Sequence, residues 1–372
     1  MPNSKPSPKN IAFIIPTLAL GDFLCFSPSF IYALEQGIFV DVICEKRSFG
    51  NLDSIIFFKE KRFDAIRLLY SLDKNRSYDA VFLMDRKGII PSLSFAKNSK
   101  LKSVWVTPIQ SKRMLDLFAF NFLVVPLFSL FGTKCSKLKS NDSKPIYSYT
   151  FDSLKSLFPS QMSFIDAISN LVSRINSISP SSQFQIPKSP YALIHVFRDL
   201  DFKTLSDSSL YTIAKFLSEN YKQTQFLLLC NLDNPQERSM LLKFENHLKS
   251  FNLNFRILPK SSYLDIVKIA SNSQFYLGVD HGISHLCSLF SKKSILLYGA
   301  TLKRPSIDRL WPPMVFGETL EISPCIRLLS NSTSSVSIIH PSVADYSSAD
   351  EKDPSFLLNK NLNVDNLILA FK

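Results

Sequence analysis

The chain has 372 residues, of which 45% are hydrophobic and 20% charged, so it can bury two cores and is not a disordered chain. Its formal net charge of +12 suits a phosphate-bearing substrate, an anionic membrane face or nucleic acid. The basic residues are scattered and the sequence carries no nucleic-acid-binding motif, which favours phosphate and membrane over nucleic acid. Neither G-x-G-x-x-G nor G-x-x-x-x-G-K-[ST] occurs, which argues against a dinucleotide-dependent dehydrogenase and a P-loop enzyme.

Apolar runs and helical patterns alternate in the first half of the chain. The first strand is predicted at Ile11–Ile15, followed by a polar turn that contains Gly21 and Asp22 and by a helix to about Gln36. Further strands are predicted at 39–44, 80–84 and 102–107, and helices near 64–72 and 163–178. Strands that alternate with helices predict a parallel sheet covered on both faces.

The strongly apolar segment Leu115–Phe131 has two interpretations. It is short for a bilayer span and contains Asp116, Asn121 and Pro126. The first interpretation is a pair of buried helices kinked at Pro126. The second is an apolar surface that meets a lipid acceptor or the membrane interface. Flanking basic residues suit anionic headgroups in the second interpretation: Lys112, Arg113, Lys134, Lys137 and Lys139.

The alternation resumes in the second half, after a linker predicted at 179–190. Strands are predicted at 191–197, 225–230, 255–258, 274–279 and 294–298. Helices are predicted at 207–220, 235–248, 263–271 and 283–290, with Ser206, Pro235 and Ser262 as start signals. Two doubly wound domains of this kind would face each other across a ligand-binding cleft.

These patterns predict an α/β protein with an N-terminal Rossmann-like domain at 1–180 and a C-terminal Rossmann-like domain at 181–350. The segment 351–372 contains a closing helix that could pack back on the N-terminal domain. The six cysteines form no C-x-x-C pair, and the polar, basic N-terminus is not followed by a small-residue cleavage site. We therefore expect a cytoplasmic protein with reduced cysteines.

The turn at Asp280–Gly282 lies between a predicted strand and a helix that begins at Ile283. Free N–H groups and the dipole at a helix start form an anion site, and Gly282 would let a phosphate approach the backbone. The alternatives are an ordinary turn with Asp280 as the helix N-cap, and a core position for His285. The turn is therefore a candidate site for a diphosphate.

Two patterns raise the question of a metal ion. His281 and His285 lie four residues apart and would share one helix face, but Asp280 is the only nearby third ligand in sequence. Asp199 and Asp201 form a D-x-D pair, which is common by chance and also fits a solvated loop. We predict no metal requirement.

The run G-V-D-H-G-I-S-H-L, followed by I-L-L-Y-G-A-T, resembles a signature of the bacterial ADP-heptose:lipopolysaccharide heptosyltransferases, glycosyltransferase family 9. The family pattern is D-[ST]-G-x-x-H, then an apolar strand and [YF]-G-P-T. This chain departs from it at His281, where the family has Ser or Thr, and at Ala300, where it has Pro. The resemblance implies that the donor and its phosphates are bound by Asp280, His281, Gly282, Ile283 and His285.

A second stretch of the resemblance lies near the N-terminus. The loop from Thr17 to Asp22, before an apolar helix, is similar to the family loop whose aspartate is the proposed general base. The resemblance implies a catalytic role for Asp22 and acceptor-side positions for Gly21 and Thr17. The run Y-D-A-V-F is similar to the family's Y-D-x-V-I strand of the first domain.

Two further donor-side positions follow from the same resemblance. The strand Tyr191–His195 followed by Lys203 is similar to the family's strand and loop in which a lysine meets the phosphates. The loop is about one residue longer here, so Arg198 is the alternative to Lys203. Glu237 falls where the family has an acidic residue near the donor sugar or nucleoside.

The family implies a GT-B-like fold and an inverting transfer of a sugar, a heptose from ADP-heptose, to a lipopolysaccharide core or lipid A-linked acceptor. It implies a nucleotide-sugar donor without a cofactor, and peripheral contact with the anionic inner-membrane face. Transfer needs a base for the acceptor hydroxyl and hydrogen-bond donors for the leaving diphosphate, groups that closure of the cleft would bring together. The alternatives are a transferase or epimerase with another nucleotide sugar, and a non-catalytic two-lobed sugar-nucleotide binding protein.

Overall fold

The computed structural model describes residues 9–15, 20–44, 66–69, 71–83, 89–98, 100–106, 125–137, 146–177, 186–198, 204–259, 261–297, 314–316, 319–321, 335–339, 359 and 362–372. The chain divides into two compact units, Met1–Ser177 and Ile178–Lys372. The division falls within a few residues of the predicted linker, and it gives the last segment of the chain to the second unit.

The N-terminal unit is built on a parallel sheet of six strands in the order β3-β2-β1-β4-β5-β6. Strand β1 is buried along nearly its whole length, as expected for a parallel sheet that is covered on both faces. The described elements are β1 (Asn10–Ile14), α1 (Leu20–Glu35), β2 (Phe39–Ile43), β3 (Ile66–Leu69), β4 (Ala80–Leu83), α2 (Ile89–Lys97), β5 (Ser103–Val106), α3 (Val125–Leu130), β6 (Lys134–Lys137), α4 (Ile146–Leu157) and α5 (Phe164–Asn176).

Two predicted elements of this unit are wrong. The segment near 64–72 contains the strand β3 instead of a helix, and Ile66 pairs with Val40 of β2. An apolar run of four residues is too short for periodicity to separate a strand from a helix. Gly21 and Asp22 lie within the first turn of α1, which begins at Leu20, and not in a turn before it.

The apolar segment that ends at Phe131 is described only from Val125 onward. Pro126 is the second residue of α3, and residues 115–124 lie outside the described residues, so the predicted helix pair kinked at Pro126 stays a prediction. Proline is tolerated in the first turn because the N–H that it lacks has no partner within the helix there. Within the part of the chain that the structure describes, no helix has the length and apolar character needed to cross a bilayer.

The C-terminal unit repeats the same strand order, with β14-β11-β10-β7-β8-β9 forming a second parallel sheet. Strand β14 was not predicted, and a separate antiparallel pair, β12 and β13, lies outside this sheet. The described elements are β7 (Tyr191–His195), α6 (Asp207–Asn220), β8 (Gln225–Leu228), α7 (Pro235–Ser250), β9 (Phe255–Ile257), α8 (Tyr263–Asn272), β10 (Tyr276–Val279), α9 (Gly282–Phe290), β11 (Lys293–Leu297), β12 (Met314–Phe316), β13 (Thr319–Glu321), β14 (Ser335–Ile339) and α10 (Val364–Phe371).

Side-chain caps begin the helices of this unit where the sequence signals predicted. Ser206 caps α6, and Ser262 caps α8 in a reciprocal box with Asp265. Asn234 caps α7, with Pro235 as the first helical residue. Each cap gives a hydrogen-bond acceptor to an N–H group that no helical carbonyl can reach.

The closing helix α10 packs on the C-terminal sheet domain, which differs from the expected position on the N-terminal domain. Leu367 is fully buried in the core of the C-terminal unit. The ring of Phe371 lies 4.8 Å from those of Phe216 and Phe275 and 5.4 Å from that of Tyr221 (centroid distances). This aromatic cluster fixes α10 on the C-terminal unit, a contact that the sequence of α10 alone does not predict.

Replacing Phe371 should destabilise the C-terminal unit. Phe371→Ala removes the ring that joins three aromatic partners, and we expect the free energy of unfolding to fall by about 2 kcal/mol. Leu369→Ala is the matched control on the same helix, because Leu369 is 66% exposed. The control should stay within about 0.5 kcal/mol of the wild type. Urea unfolding followed by fluorescence measures both, and equal losses would contradict the assigned packing.

Candidate functional site

The order of the C-terminal sheet reverses direction between β7 and β10. The chain continues from β7 to β8 and β9 on one side, and from β10 to β11 and β14 on the other. In open α/β sheets, ligands bind outside the carboxyl ends of the strands at such a point. Here those ends are His195 on β7 and Val279 on β10. The candidate turn at Asp280–Gly282 follows the second of them directly.

His281 is the N-cap of α9. Its backbone is extended, with φ −153° and ψ 154°, and its ring Nδ1 accepts the Ile283 N–H at 3.0 Å. The imidazole nitrogen therefore takes the part usually played by a Ser, Thr, Asn or Asp oxygen. The residue that caps the helix is His281 and not Asp280. Because Nδ1 accepts a hydrogen bond, the neutral ring carries its proton on Nε2, which can donate to a ligand.

The first turn of α9 has fewer available N–H groups than the sequence suggested. The Ile283 N–H is bonded to the His281 ring, and the N–H groups of Ser284 and His285 donate to the His281 carbonyl at 2.9 and 3.3 Å. An anion at this turn would accept from His281 Nε2–H or displace the ring from Ile283. The helix dipole still favours negative charge here.

Asp280 and His285 lie together behind the turn. Both side chains are largely buried, and His285 Nε2 is 3.8 Å from the Asp280 carboxylate. His285 thus faces Asp280, while the ring of His281 turns back onto Ile283. Among the described residues, no group of three or more His, Cys, Asp or Glu is arranged to hold a metal ion. Asp199 and Asp201 lie outside the described residues.

His195 joins this site, although the sequence analysis did not single it out. It is buried, its Nδ1 lies 3.4 Å from the Tyr276 hydroxyl, and its ring meets that of His281 edge-on at 4.8 Å. Its sequence signal is a histidine that ends an apolar strand in a chain with only five histidines. Proximity to His281 depends on strand pairing, which the local sequence does not specify.

The His195 imidazole is held neutral. Burial, and second the positive charge of Arg198, lower its pKa to about 3. Arg198 lies three residues beyond the end of β7, at the same edge of the sheet. The site therefore combines neutral ring donors and acceptors with a nearby guanidinium charge.

Glu237 also lies at this edge, in the first turn of α7 after strand β8. It is buried, and its carboxylate accepts the Asn231 N–H at 3.0 Å, closing the turn before the helix. Burial and, second, the Glu237 charge raise the pKa of the Cys230 thiol to about 12. Glu237 therefore has a structural contact in addition to its predicted donor-side role.

The remaining predicted site residues are described in part or not at all. The backbone of Gly21 and Asp22 lies in α1, and nothing is described for the Asp22 side chain. Thr17 and Lys203 lie outside the described residues. Apart from Lys203, the predicted donor-side residues thus lie at the carboxyl edge of one sheet.

Solved structures share this architecture. The Escherichia coli heptosyltransferase WaaC with ADP is 15% identical, covers 97% of this chain and 98% of its own, and superposes with a TM-score of 0.56. WaaC with ADP-2-deoxy-2-fluoro heptose gives 14% identity, the same coverages and a TM-score of 0.55. A family 9 glycosyl transferase from Veillonella parvula gives 13% identity, coverages of 98% and 96%, and a TM-score of 0.52.

The fold is GT-B. The two parallel sheets and these structural neighbours agree on it. No protein-family model matches the sequence, and no curated protein matches it at a significant level of similarity. The GT-B fold hosts several activities, so function has to be argued from the site.

The neutral state of His195 makes stability depend on pH. Its pKa is about 3 in the folded protein and near 6.5 in the unfolded chain. Between these values only the unfolded chain binds the proton, so stability falls as the pH drops from about 6.5 toward 3. His195→Gln should make this fall shallower between about pH 6.5 and 5, by up to about 1.4 kcal/mol per pH unit. Urea unfolding at a series of pH values checks the slope, and a slope equal to that of the wild type would refute the assignment.

Proposed function

We propose that this chain is an inverting glycosyltransferase that binds a nucleotide-sugar donor at the Asp280–His285 turn. One observation carries the proposal. His281 caps α9 through Nδ1 at the switch point of the sheet, which places its ring proton on Nε2, and its ring lies beside that of neutral His195. Arg198 adds positive charge at the same sheet edge. A helix start, a ring N–H donor and a guanidinium are the groups that a diphosphate requires.

The proposed reaction breaks the bond between the anomeric carbon and the diphosphate oxygen. A base takes the proton of the acceptor hydroxyl, the hydroxyl oxygen attacks the anomeric carbon, and the diphosphate leaves with the bonding electron pair. His281 Nε2–H and the Arg198 guanidinium would stabilise the charge that develops on the leaving oxygen. Lys203 is the predicted second cation. The carboxylates of Asp280 and Glu237 would accept hydroxyl groups of the sugar or ribose.

The proposed base is Asp22, in the first turn of α1 of the N-terminal unit. Gly21 and Thr17 are its proposed acceptor-side neighbours. The support is the resemblance of the Thr17–Asp22 loop to the family 9 loop, and the chemical need for a proton acceptor near the acceptor hydroxyl. The proposal assigns the base to the N-terminal unit and the donor site to the C-terminal unit.

The proposed donor is ADP-heptose, and the proposed acceptor is a lipopolysaccharide core or lipid A-linked sugar. The structural neighbours carry ADP and a fluorinated ADP-heptose, which motivates the choice of nucleotide. The net charge of +12 suits an acceptor at an anionic membrane face. Leu127 and Leu130 on α3 are 41% and 77% exposed and could contribute apolar contact at that interface. No cofactor or metal is part of this proposal.

A thermal-shift panel tests the donor. ADP, UDP, GDP and CMP sugars are added at one common concentration, about 100 times the dissociation constant of the ADP sugar, where binding of that sugar contributes about 2.7 kcal/mol. The ADP sugar should raise the melting temperature by about 5 °C, more than the other three. Repeating the panel with EDTA tests the expected lack of a metal requirement. Equal shifts for all four nucleotides would remove the support for ADP-heptose, and no shift for any would speak against the donor site.

Asp22→Asn tests the catalytic assignment. We expect kcat to drop at least about 100-fold, because the amide cannot accept the hydroxyl proton, while the ADP-sugar dissociation constant changes less than about twofold. Asp152→Asn, on the surface of α4 in the same unit, is the matched control and should keep its kcat. Wild-type turnover in the Asp22 variant would rule out this mechanism. Donor binding without turnover in the wild type, over many acceptors, would favour a binding protein.

A further inference from the structure

Tyr276 and Gly278 form a coupled pair on one face of β10. Residues two apart on a strand point to the same side, and the Tyr276 ring lies along the strand over Gly278. A Cβ atom on Gly278 would lie 2.2 Å from the Tyr276 hydroxyl oxygen and 2.5 Å from the carbon that bears it. The tyrosine hydroxyl therefore occupies the space where a side chain of residue 278 would begin, and glycine is required there to admit it.

The pairing of β10 with β7 places this hydroxyl next to His195. Gly278 is the direct partner of His195 in the parallel register. The Tyr276 hydroxyl lies 2.7 Å from Ser284 Oγ and 3.4 Å from His195 Nδ1. Tyr276 lies on β10, and its hydroxyl therefore contacts both His195 on β7 and Ser284 in the first turn of α9.

The direction of these hydrogen bonds follows from that of the last one, between Ser284 and the Val279 carbonyl. Ser284 Oγ donates its single hydrogen to the Val279 carbonyl at 2.5 Å. Ser284 Oγ must then accept from the Tyr276 hydroxyl, whose own hydrogen is thereby used. The Tyr276 oxygen accepts in turn from His195 Nδ1. His195 is thus the Nδ1–H tautomer, with its lone pair on Nε2, and its ring plane is fixed by a buried contact.

We infer that Tyr276 is a positioning residue of the proposed donor site: its hydroxyl, seated over Gly278, sets the tautomer and orientation of His195. The His195 ring meets His281 edge-on at 4.8 Å with an interplanar angle of 89°. Its orientation therefore limits where the His281 ring, and with it Nε2–H, can lie. The role in donor binding rests on the proposed function, whereas the control of the His195 tautomer does not.

Nitrogen-15 NMR of histidine-labelled protein tests the inference directly. The chain has only five histidines, so the ring signals can be assigned by single replacements. The wild type should show His195 as the neutral Nδ1–H tautomer at pH 7. Tyr276→Phe should convert a large part of this signal to the Nε2–H tautomer, because Nδ1–H loses its acceptor. A wild-type His195 with its proton on Nε2, or an unchanged tautomer in Tyr276→Phe, overturns the inference.

Tyr191→Phe is the matched control. Tyr191 is also the buried first residue of a strand of this sheet, and its hydroxyl donates to the Ile269 carbonyl at 2.8 Å. The substitution removes one buried hydroxyl, like Tyr276→Phe, but leaves the contacts of His195 in place. It should retain the wild-type tautomer. A tautomer change of equal size in both variants would mean that general loosening of the sheet, and not Tyr276, controls the ring.

A double variant provides rescue. In Tyr276→Val with Gly278→Ser, the serine Cβ lies near the position that the tyrosine hydroxyl vacates, so the serine Oγ, one bond further, can accept from His195. The double variant should recover the Nδ1–H tautomer, whereas Gly278→Ser alone clashes with Tyr276 and should lose it. Failure of the double variant to recover more of this tautomer than Tyr276→Val alone would count against the inferred geometry.

ADP binding by the same proteins tests the link to the donor site. The dissociation constant for ADP should rise about tenfold in Tyr276→Phe relative to Tyr191→Phe, the size expected for one displaced hydrogen bond. Equal ADP affinity in the two variants would overturn the positioning role. If wild-type protein does not bind ADP, the proposed ADP-sugar donor fails, while the NMR result still decides the role of Tyr276.

Discussion

The parallel pairing of β7 with β10 is the constraint on which the candidate site depends. These strands are distant in sequence, and their pairing sets Gly278 directly against His195. The same pairing opens the switch point at their carboxyl ends, where the N-cap His281 and the edge of the His195 ring meet. Every polar contact described there, from Ser284 to Arg198, is arranged around that junction. The buried strands and capped helices of the unit hold it in place.

The C-terminal fold was largely predictable because its signals are local. Ser206, Asn234 with Pro235, and Ser262 mark helix starts through contacts within three residues, and the helices follow them as expected. Strands β3 and β6 were not predicted, because Ile66–Leu69 is too short to show periodicity and Lys134–Lys137 has a single apolar residue, Cys135. Both are strands because a neighbouring strand supplies their hydrogen bonds, which is information from a distant part of the chain.

The candidate site likewise contains residues that local sequence predicts and residues that it does not. The Asp280–Gly282 turn could be found in sequence because strand, turn and helix follow one another there, and Arg198 and Glu237 come from the neighbouring strand ends. His195 and Tyr276 could not be found, since their importance arises from contacts with residues about eighty positions away. The hydrogen bond from the Ile283 N–H to the His281 ring also depends on the orientation of that ring, which residue spacing does not predict. Short-range patterns thus predicted the candidate site, and long-range pairing determines the contacts within it.

His281 stands where the pattern that this turn resembles has Ser or Thr, and it can serve the same capping role. A Ser or Thr at this position caps the helix with an oxygen, and His281 caps it with Nδ1, so the helix start is preserved. The two caps differ in where they place the hydrogen-bond donor that a ligand would meet. A hydroxyl that caps the helix keeps its donor close to the backbone, whereas the imidazole carries its N–H on the far side of the ring. The N–H of His281 therefore lies farther from the helix than a capping hydroxyl would. The adjacent His195 stays neutral, so it adds no positive charge to that of Arg198. In the proposed function, an anion would be bound here by one directed N–H, the helix dipole and the charge of Arg198, with the ring of His281 held between its cap bond and His195.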